Sequence, residues 1–535
     1  MPAALRPEIA AALCRPRGTS EDHPLMTTLP IPSYCSRFGL AVLLVALADF
    51  LFYGQPAGIN FLLFAILIAG AIVAVHPSAF SDARLWLKPA ALLVALLPLV
   101  ENVSPLSVSI ALVGLAVFAL SLAGRLRSSL ARIAGQLSVF LLSAPFRLIR
   151  DFFRWRKAAR RLGLRRIRLA AIAVWVMPLA LGAVFLALFG AANPVIEYWF
   201  TLIDLFALLD LIQPARLVFW LLVLAGVWAF LRPRLPRIVR RLPRLALTVP
   251  PVAPPPTKSV TTIEDIVFGK AAILRALIVF NILFAMQTGL DATYLWGGVA
   301  LPDGLTYAAY AHRGAYPLIV TALLAAGFVL AALRPGSETS NDPLIRRLVY
   351  AWVAQNIVLV ISSILRLDLY VGIYALTYLR IAAFVWMGLV AAGLALIIAR
   401  IALGKSSEWL LSANLLTLSA TLYACSYINF AALIANYNVD HSYEMNGPGT
   451  SLDLWYVRSL GPSALPALDR FFDHQQKVFL ADRRDGVDAM TEARYRTIQR
   501  NWRAWSFRDW RLLRYLDRNG ALANPAVFEP YVPGR

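Results

Sequence analysis

Apolar residues in this chain do not alternate with polar ones at a period of two. They come in long uncharged runs separated by short polar breaks. A run of about 20 residues, rising about 1.5 Å per residue as a helix, crosses a hydrocarbon core about 30 Å thick. Eleven runs qualify as expected spans, at about 38–53, 59–75, 85–100, 106–123, 169–190, 216–231, 271–289, 314–333, 348–366, 374–399 and 409–434. In lipid only helices or closed barrels satisfy every backbone polar group, and runs without strict alternation predict helices. The expected fold is therefore all-α: a polytopic transmembrane helix bundle of about eleven spans with a small helical C-terminal extramembrane domain.

Composition agrees with that pattern. Hydrophobic residues make up 59% of the 535 and charged residues 15%, against roughly 45–50% and 25% in soluble domains. The charge is unevenly placed. Thirteen Lys or Arg stand against the single Asp151 in residues 125–168, and seven stand with no acid in 232–258, which together supply most of the net +21. By the positive-inside rule both segments are expected in the cytoplasm, as are the loops carrying Arg334, Arg346, Arg347, Arg400 and Lys405. The intervening loops are poor in cations and carry Glu101, Glu197, Asp204 and Asp291. The N-terminus is then inside and the tail outside. The high basicity is explained by orientation and by anionic lipid headgroups, so no nucleic-acid partner is expected.

The resulting organisation has seven parts: a disordered cytoplasmic N-terminus (1–37), a four-span bundle (38–124), a basic amphipathic cytoplasmic segment (125–168), two spans with an outer amphipathic helix (169–231), a Pro/Arg-rich cytoplasmic linker (232–260), a five-span core (261–434) and a helical extracytoplasmic tail (435–535). Between Arg132 and Arg147 only fourteen residues are uncharged, a length that suits a helix lying on the membrane better than one crossing it. Met26 offers an alternative start, and the run after Arg37 lacks a small-residue cleavage site, so it reads as a retained helix. In the segment 192–210, Asn193 caps a helix begun by Pro194, and Glu197, Thr201 and Asp204 share one face. Tyr495, Ile498, Trp502 and Trp505 fall at helical spacing in the tail, and Ser506 with Asp509 is expected to cap a second short helix.

Enzyme signatures do not emerge. There is no His-Glu-x-x-His, Gly-x-Ser-x-Gly or Cys-x-x-Cys, and the Gly-Lys-Ser at 404–406 lacks the earlier glycine and preceding strand of a phosphate loop. Cys14, Cys35 and Cys425 are scattered, so neither a metal set nor a cofactor site is expected. Glu101 reads as a helix end facing water.

Polar residues inside the spans carry the remaining signal. Gln355, Ser362 and Arg366 lie on one side of the ninth span, with Asn356 and Ser363 beside them; Arg380 lies inside the tenth, and Asn281, Gln287 and Asp291 mark the seventh. In VISSILRLDLYVGIYALTYLRIAAF (360–384), Arg366 is expected to end one span, Asp368 to occupy a short turn and Arg380 to need a carboxylate, with Asp368 and Asp291 nearest. Gln287, Asp291, Gln355, Arg366, Asp368 and Arg380 thus form a candidate polar cluster. It is either a structural network or a ligand or ion site.

Three stretches resemble a family of bacterial multi-pass membrane proteins known only as a domain of unknown function. They are FNILFAMQTGLDATYLWGGVALPDGLTYAAYAHRGAYPLIV at 280–320, NDPLIRRLVYAWVAQNIVLVISSILRLDLYVGIYALTYLRIAAFVWM at 341–387 and LDLWYVRSLGPSALPALDRF at 452–471. The resemblance implies a bacterial cytoplasmic (inner) membrane location and no catalytic residue. Two functions from different classes fit: transport or lipid handling through an outward-facing polar cavity that takes a small molecule or lipid, or a non-catalytic sensor, scaffold or assembly factor. The second acts through the tail and the basic loops, with a protein partner that the sequence does not name. An enzyme is the less favoured class.

Overall fold

A computed structural model describes residues 34–76, 86–126, 130–161, 213–233, 269–296, 342–447, 449–479 and 486–519, with isolated positions at 177–185 and 320–328. The helical stripe expected at 192–210, residues 1–33, most of the linker and most of the spans at 169–190 and 314–333 lie outside the described residues. The described elements are helical. In chain order they are α1 (Tyr34–Phe52), α2 (Ile59–Val75), α3 (Leu87–Glu101), α4 (Pro105–Leu122), α5 (Leu130–Leu142), α6 (Ala144–Arg161), α7 (Pro214–Leu231), α8 (Lys270–Asp291), α9 (Pro343–Tyr374), α10 (Tyr378–Ala402), α11 (Ser407–Cys425) and α12 (Phe430–Asp440). The tail adds α13 (Tyr443–Asn446), α14 (Leu454–Ser459), α15 (Leu465–Phe479), α16 (Gly486–Gln499) and α17 (Phe507–Asn519).

Five of these helices are long and apolar enough to cross a membrane: α4, α7, α8, α9 and α10. The count rises to six if α11 and α12 form one broken span. By length and composition the chain is thus a multi-pass membrane protein. The eleventh expected span is not one straight helix: α11 and α12 are bent by 69°, because Ser426–Asn429 break the ladder and the Asn429 side chain restarts it by accepting from the Ala432 amide. The ninth is longer than expected. Asp342 caps it by accepting from the Leu344 and Ile345 amides, Pro343 takes the first position, and the helix runs on to Tyr374.

Two apolar cores organise the bundle. One joins α1 to α5 with α7 around Ile72, Leu96, Leu115, Phe140 and Trp228; the other joins α8 to α11 around Leu277, Val349, Trp352 and Met387. Local chemistry fixes how close the helices come. Gly114 of α4 meets Ala95 of α3 where any added Cβ clashes. At the α1–α2 turn, fully buried Asn60 accepts from the Gly58 amide and donates to the Leu51 and Pro56 carbonyls. Arg132 of α5 and Glu408 of α11 approach to 3.3 Å and link the two cores.

Helices α5 and α6 meet at a one-residue turn at Ser143. Arg147 is buried beside that turn, donating to the Phe140 carbonyl and the Ser143 hydroxyl, with its guanidinium 4.1 Å from the centroid of the Phe140 ring. Burial, then the charge of Arg150, pushes its pKa down to about 10. Leu142, Phe146, Ile149 and Phe153 remain exposed along one side of the pair.

The Lys270 ammonium, hydrogen-bonded 2.6 Å away, and the two cap amides hold the Asp342 carboxyl below the ordinary aspartate value of 3.8. A lowered carboxylate pKa contributes stability above its unfolded value, and that contribution is lost as pH falls through the native one. Asp342→Asn is expected to lower the melting temperature of the detergent-solubilised chain by a constant amount at neutral pH. The difference between variant and parent should shrink once pH falls below 3.8, which a pH series of thermal melts will read.

Candidate functional site

The ends of the helices carry the polar chemistry. The last residue of α8 is Asp291, fully buried, and one turn before it Gln287 donates Nε2 to Asp291 Oδ1 at 3.1 Å. Arg366 of α9 donates Nη2 to the same oxygen and is itself 4% exposed. Helical side chains lean toward the N-terminus of their helix, which brings the Arg366 fork back from its own turn to the end of α8. Gln287, Asp291 and Arg366 therefore meet in one ion-paired group. Removing one partner of such a buried pair typically costs about 3–5 kcal/mol.

More polar atoms lie along the same two helices. Asn356 and Ser363 spend their side chains on the Trp352 and Leu359 carbonyls one turn back. Thr288 Oγ1, Gln355 Oε1 and Ser362 Oγ are buried and make no hydrogen bond among the described residues. Nearer the other end of the helix pair, Phe280 stacks on Trp352 at 5.0 Å and Phe284 lies edge-on to it at 5.9 Å.

Asp368 and Arg380 stand apart from this group. Asp368 is not in a turn: α9 continues to Tyr374, which leaves Asp368 on an exposed helical position six residues earlier. Helix α10 begins at Tyr378, so Arg380 lies in its first turn. Its guanidinium donates to the Tyr374 and Ala375 carbonyls and sits 4.6 Å from the Tyr370 ring centroid. The carboxylate partner expected for Arg380 is thus replaced by backbone oxygens left open at the end of α9. From the other side Asn438 of α12 accepts from the Leu376 amide at 2.6 Å and donates to the Leu376 carbonyl at 3.0 Å. The two side chains hold Ala375 at φ +63°, a conformation that costs a residue with a Cβ.

Two more inter-helix pairs occur near the same ends of the bundle. Asp49 of α1 accepts from Arg216 of α7 through both oxygens and from Trp220 Nε1 at 2.8 Å. Glu101 does not face water: it is buried and accepts from Arg508 and Arg511 of α17. The sequence signal for Asp49 and Arg216 was an acid and a base at the ends of two expected spans. For Glu101 the partners are 407 and 410 residues away, and neither contact is visible in local pattern. Among the described residues no group of His, Cys, Asp and Glu has the arrangement of a metal site.

Ala375→Gly is expected to stabilise the detergent-solubilised protein by about 1 kcal/mol, since glycine adopts the observed backbone without a steric penalty. Asn438→Ala leaves the Leu376 amide without its side-chain acceptor and is expected to destabilise by about 1–3 kcal/mol. Chemical unfolding of both variants checks the pair of signs.

Neither the curated proteins nor the solved structures give a match. A family model described as "Domain of unknown function (DUF4153)" matches residues 89–471, which takes in α3 to the start of the tail and with it Asp291, Arg366, Arg380 and Asn438. The chain belongs to that family.

Proposed function

We propose that this chain is a multi-pass protein of a bacterial cytoplasmic membrane, N-terminus inside and tail outside, that handles a small polar solute or a lipid headgroup between α8 and α9. One observation supports the reading above others: the buried Asp291–Arg366 pair shares its two helices with three oxygens, on Thr288, Gln355 and Ser362, that make no hydrogen bond among the described residues. A buried polar atom left unsatisfied costs about 1–3 kcal/mol, so a bound molecule with N–H or O–H groups recovers energy there. Ionisable residues within membrane-spanning helices are by default functional candidates.

The chemistry of the site favours a zwitterionic or hydroxylated ligand. Arg366 offers a guanidinium to a phosphate or carboxylate, Asp291 offers a carboxylate to an ammonium, and the uncharged oxygens orient a neutral part. Ligand entry exchanges part of the protein's ion pair for contacts to the ligand, with no bond made or broken. On the cytoplasmic face, the basic residues of 125–168 suit anionic headgroups that hold α5 and α6 against the surface.

Native mass spectrometry of the full chain released from detergent tests the proposal. The parent protein is expected to carry a co-purifying small molecule or lipid, and the double variant Gln355→Leu with Ser362→Ala is expected to lose it while melting within a few degrees of the parent. Identical adducts on both proteins sink the reading and favour the alternative, a non-catalytic scaffold that acts through its tail.

A further inference from the structure

The tail carries a second surface, away from the α8–α9 site, that neither the family description nor the proposed function uses. Its anchor is the short 3-10 turn Trp502–Ala504, seated on the ends of the first helices. Asn501 Nδ2 donates to Gln55 Oε1 at 2.8 Å, and the Ala504 backbone presses on Gly58 so closely that a side chain there has no room. Ser506 then caps α17 by accepting from the Asp509 amide at 3.1 Å, while the Tyr495 hydroxyl donates to Asp509 at 2.9 Å. Burial and the neighbouring Asp509 push the Tyr495 phenol well above its ordinary value, so it remains a donor. Arg508 and Arg511 tie α17 to Glu101 at the end of α3.

So fixed, the segment presents an aromatic and cationic face. Trp502, Trp505, Phe507 and Trp510 are all exposed, Phe507 and Trp510 stack at 5.5 Å, and Arg511 and Arg514 lie over those two rings. The decisive contact is that of Arg503. Its guanidinium lies 4.5 Å from the Phe50 ring centroid and 4.8 Å from that of Trp502, and its buried Nε makes no hydrogen bond among the described residues. Phe50 is the last residue of an exposed row on α1, Val42, Leu43, Ala46 and Phe50. On a helix crossing a membrane such a row faces acyl chains, and Trp and Arg at its end lie at headgroup depth.

We propose that Trp502, Arg503, Trp505 and the outer face of α17 form a docking surface for phospholipid headgroups of the leaflet on the tail side, with Arg503 and Arg514 toward the phosphates and the indoles beside them. Charge complementarity and continuity with the exposed row of α1 select that occupant. A soluble protein partner would leave Phe50 uncovered, and a free phosphate would have no use for the four rings.

The test uses the full chain in vesicles of phosphatidylethanolamine and phosphatidylglycerol. Nitroxides are placed at Trp502→Cys, Trp510→Cys and, as a solvent control, Arg518→Cys, in protein whose Cys14, Cys35 and Cys425 are serine. Labels at 502 and 510 are expected to be reached by oxygen in preference to a water-soluble nickel chelate, whereas the label at 518 is reached by the chelate. Arg503→Gln should raise chelate access at 502, and inorganic phosphate should not. In protein that keeps all its cysteines, headgroup-brominated lipid should quench less of the tryptophan emission after Trp502→Phe with Trp510→Phe. Labels at 502 and 510 as open to the chelate as 518, labels shielded from both reagents as under a second copy or a protein partner, displacement by inorganic phosphate, or unchanged quenching would each overturn the proposal.

Discussion

A charge buried at the end of a long apolar helix needs a partner within the protein, and that constraint shapes the contacts between the helices of this chain. Asp49, Glu101 and Asp291 stand at or near the ends of α1, α3 and α8, and each takes an arginine from a different element: Arg216 of α7, Arg508 and Arg511 of α17, and Arg366 of α9. Lipid tails are as apolar as leucine, so burial of apolar surface by itself gives helices in a membrane little drive to associate. The ion pairs fix which turn of one helix lies beside which turn of another. Of the three, the pair between α8 and α9 is the most completely buried.

The tail follows from the same constraint. Helices α13, α14 and α15 pack on α12, and α17 reaches back to α3. Asn438 enters the α9–α10 turn from α12, so the tail and the strained turn share one element. Through these contacts the described residues of the tail cover the ends of α1, α3 and α9.

Much of this was legible in the chain because long apolar runs admit few alternatives. The run expected at 59–75 is α2 to the residue, and the seventh and tenth runs coincide with α8 and α10 to within four residues at each end. What was not legible had physical reasons. Asp368 stays helical because the ladder of α9 continues past the apolar run, and sequence pattern reports burial, not hydrogen bonding. Arg380 binds carbonyls, and a carbonyl acceptor exists at every residue, so nothing in the sequence marks which will be free. Glu101 and its arginines are joined only by tertiary folding. Asp291 and Arg366 were marked by their charge within expected spans, but Asp291 was expected beside Arg380, and its pairing with Arg366 comes from the packing of α8 on α9.

A double-mutant cycle on the Asp291–Arg366 pair tests most directly whether this contact sets the register of α8 and α9. Unfolding of the full chain in detergent is measured for Asp291→Leu, Arg366→Leu and the double variant. Each single change is expected to cost about 3–5 kcal/mol by removing the opposite charge from a buried pair, and the double variant to recover most of that loss. Additive losses, or single variants as stable as the parent, would contradict the account.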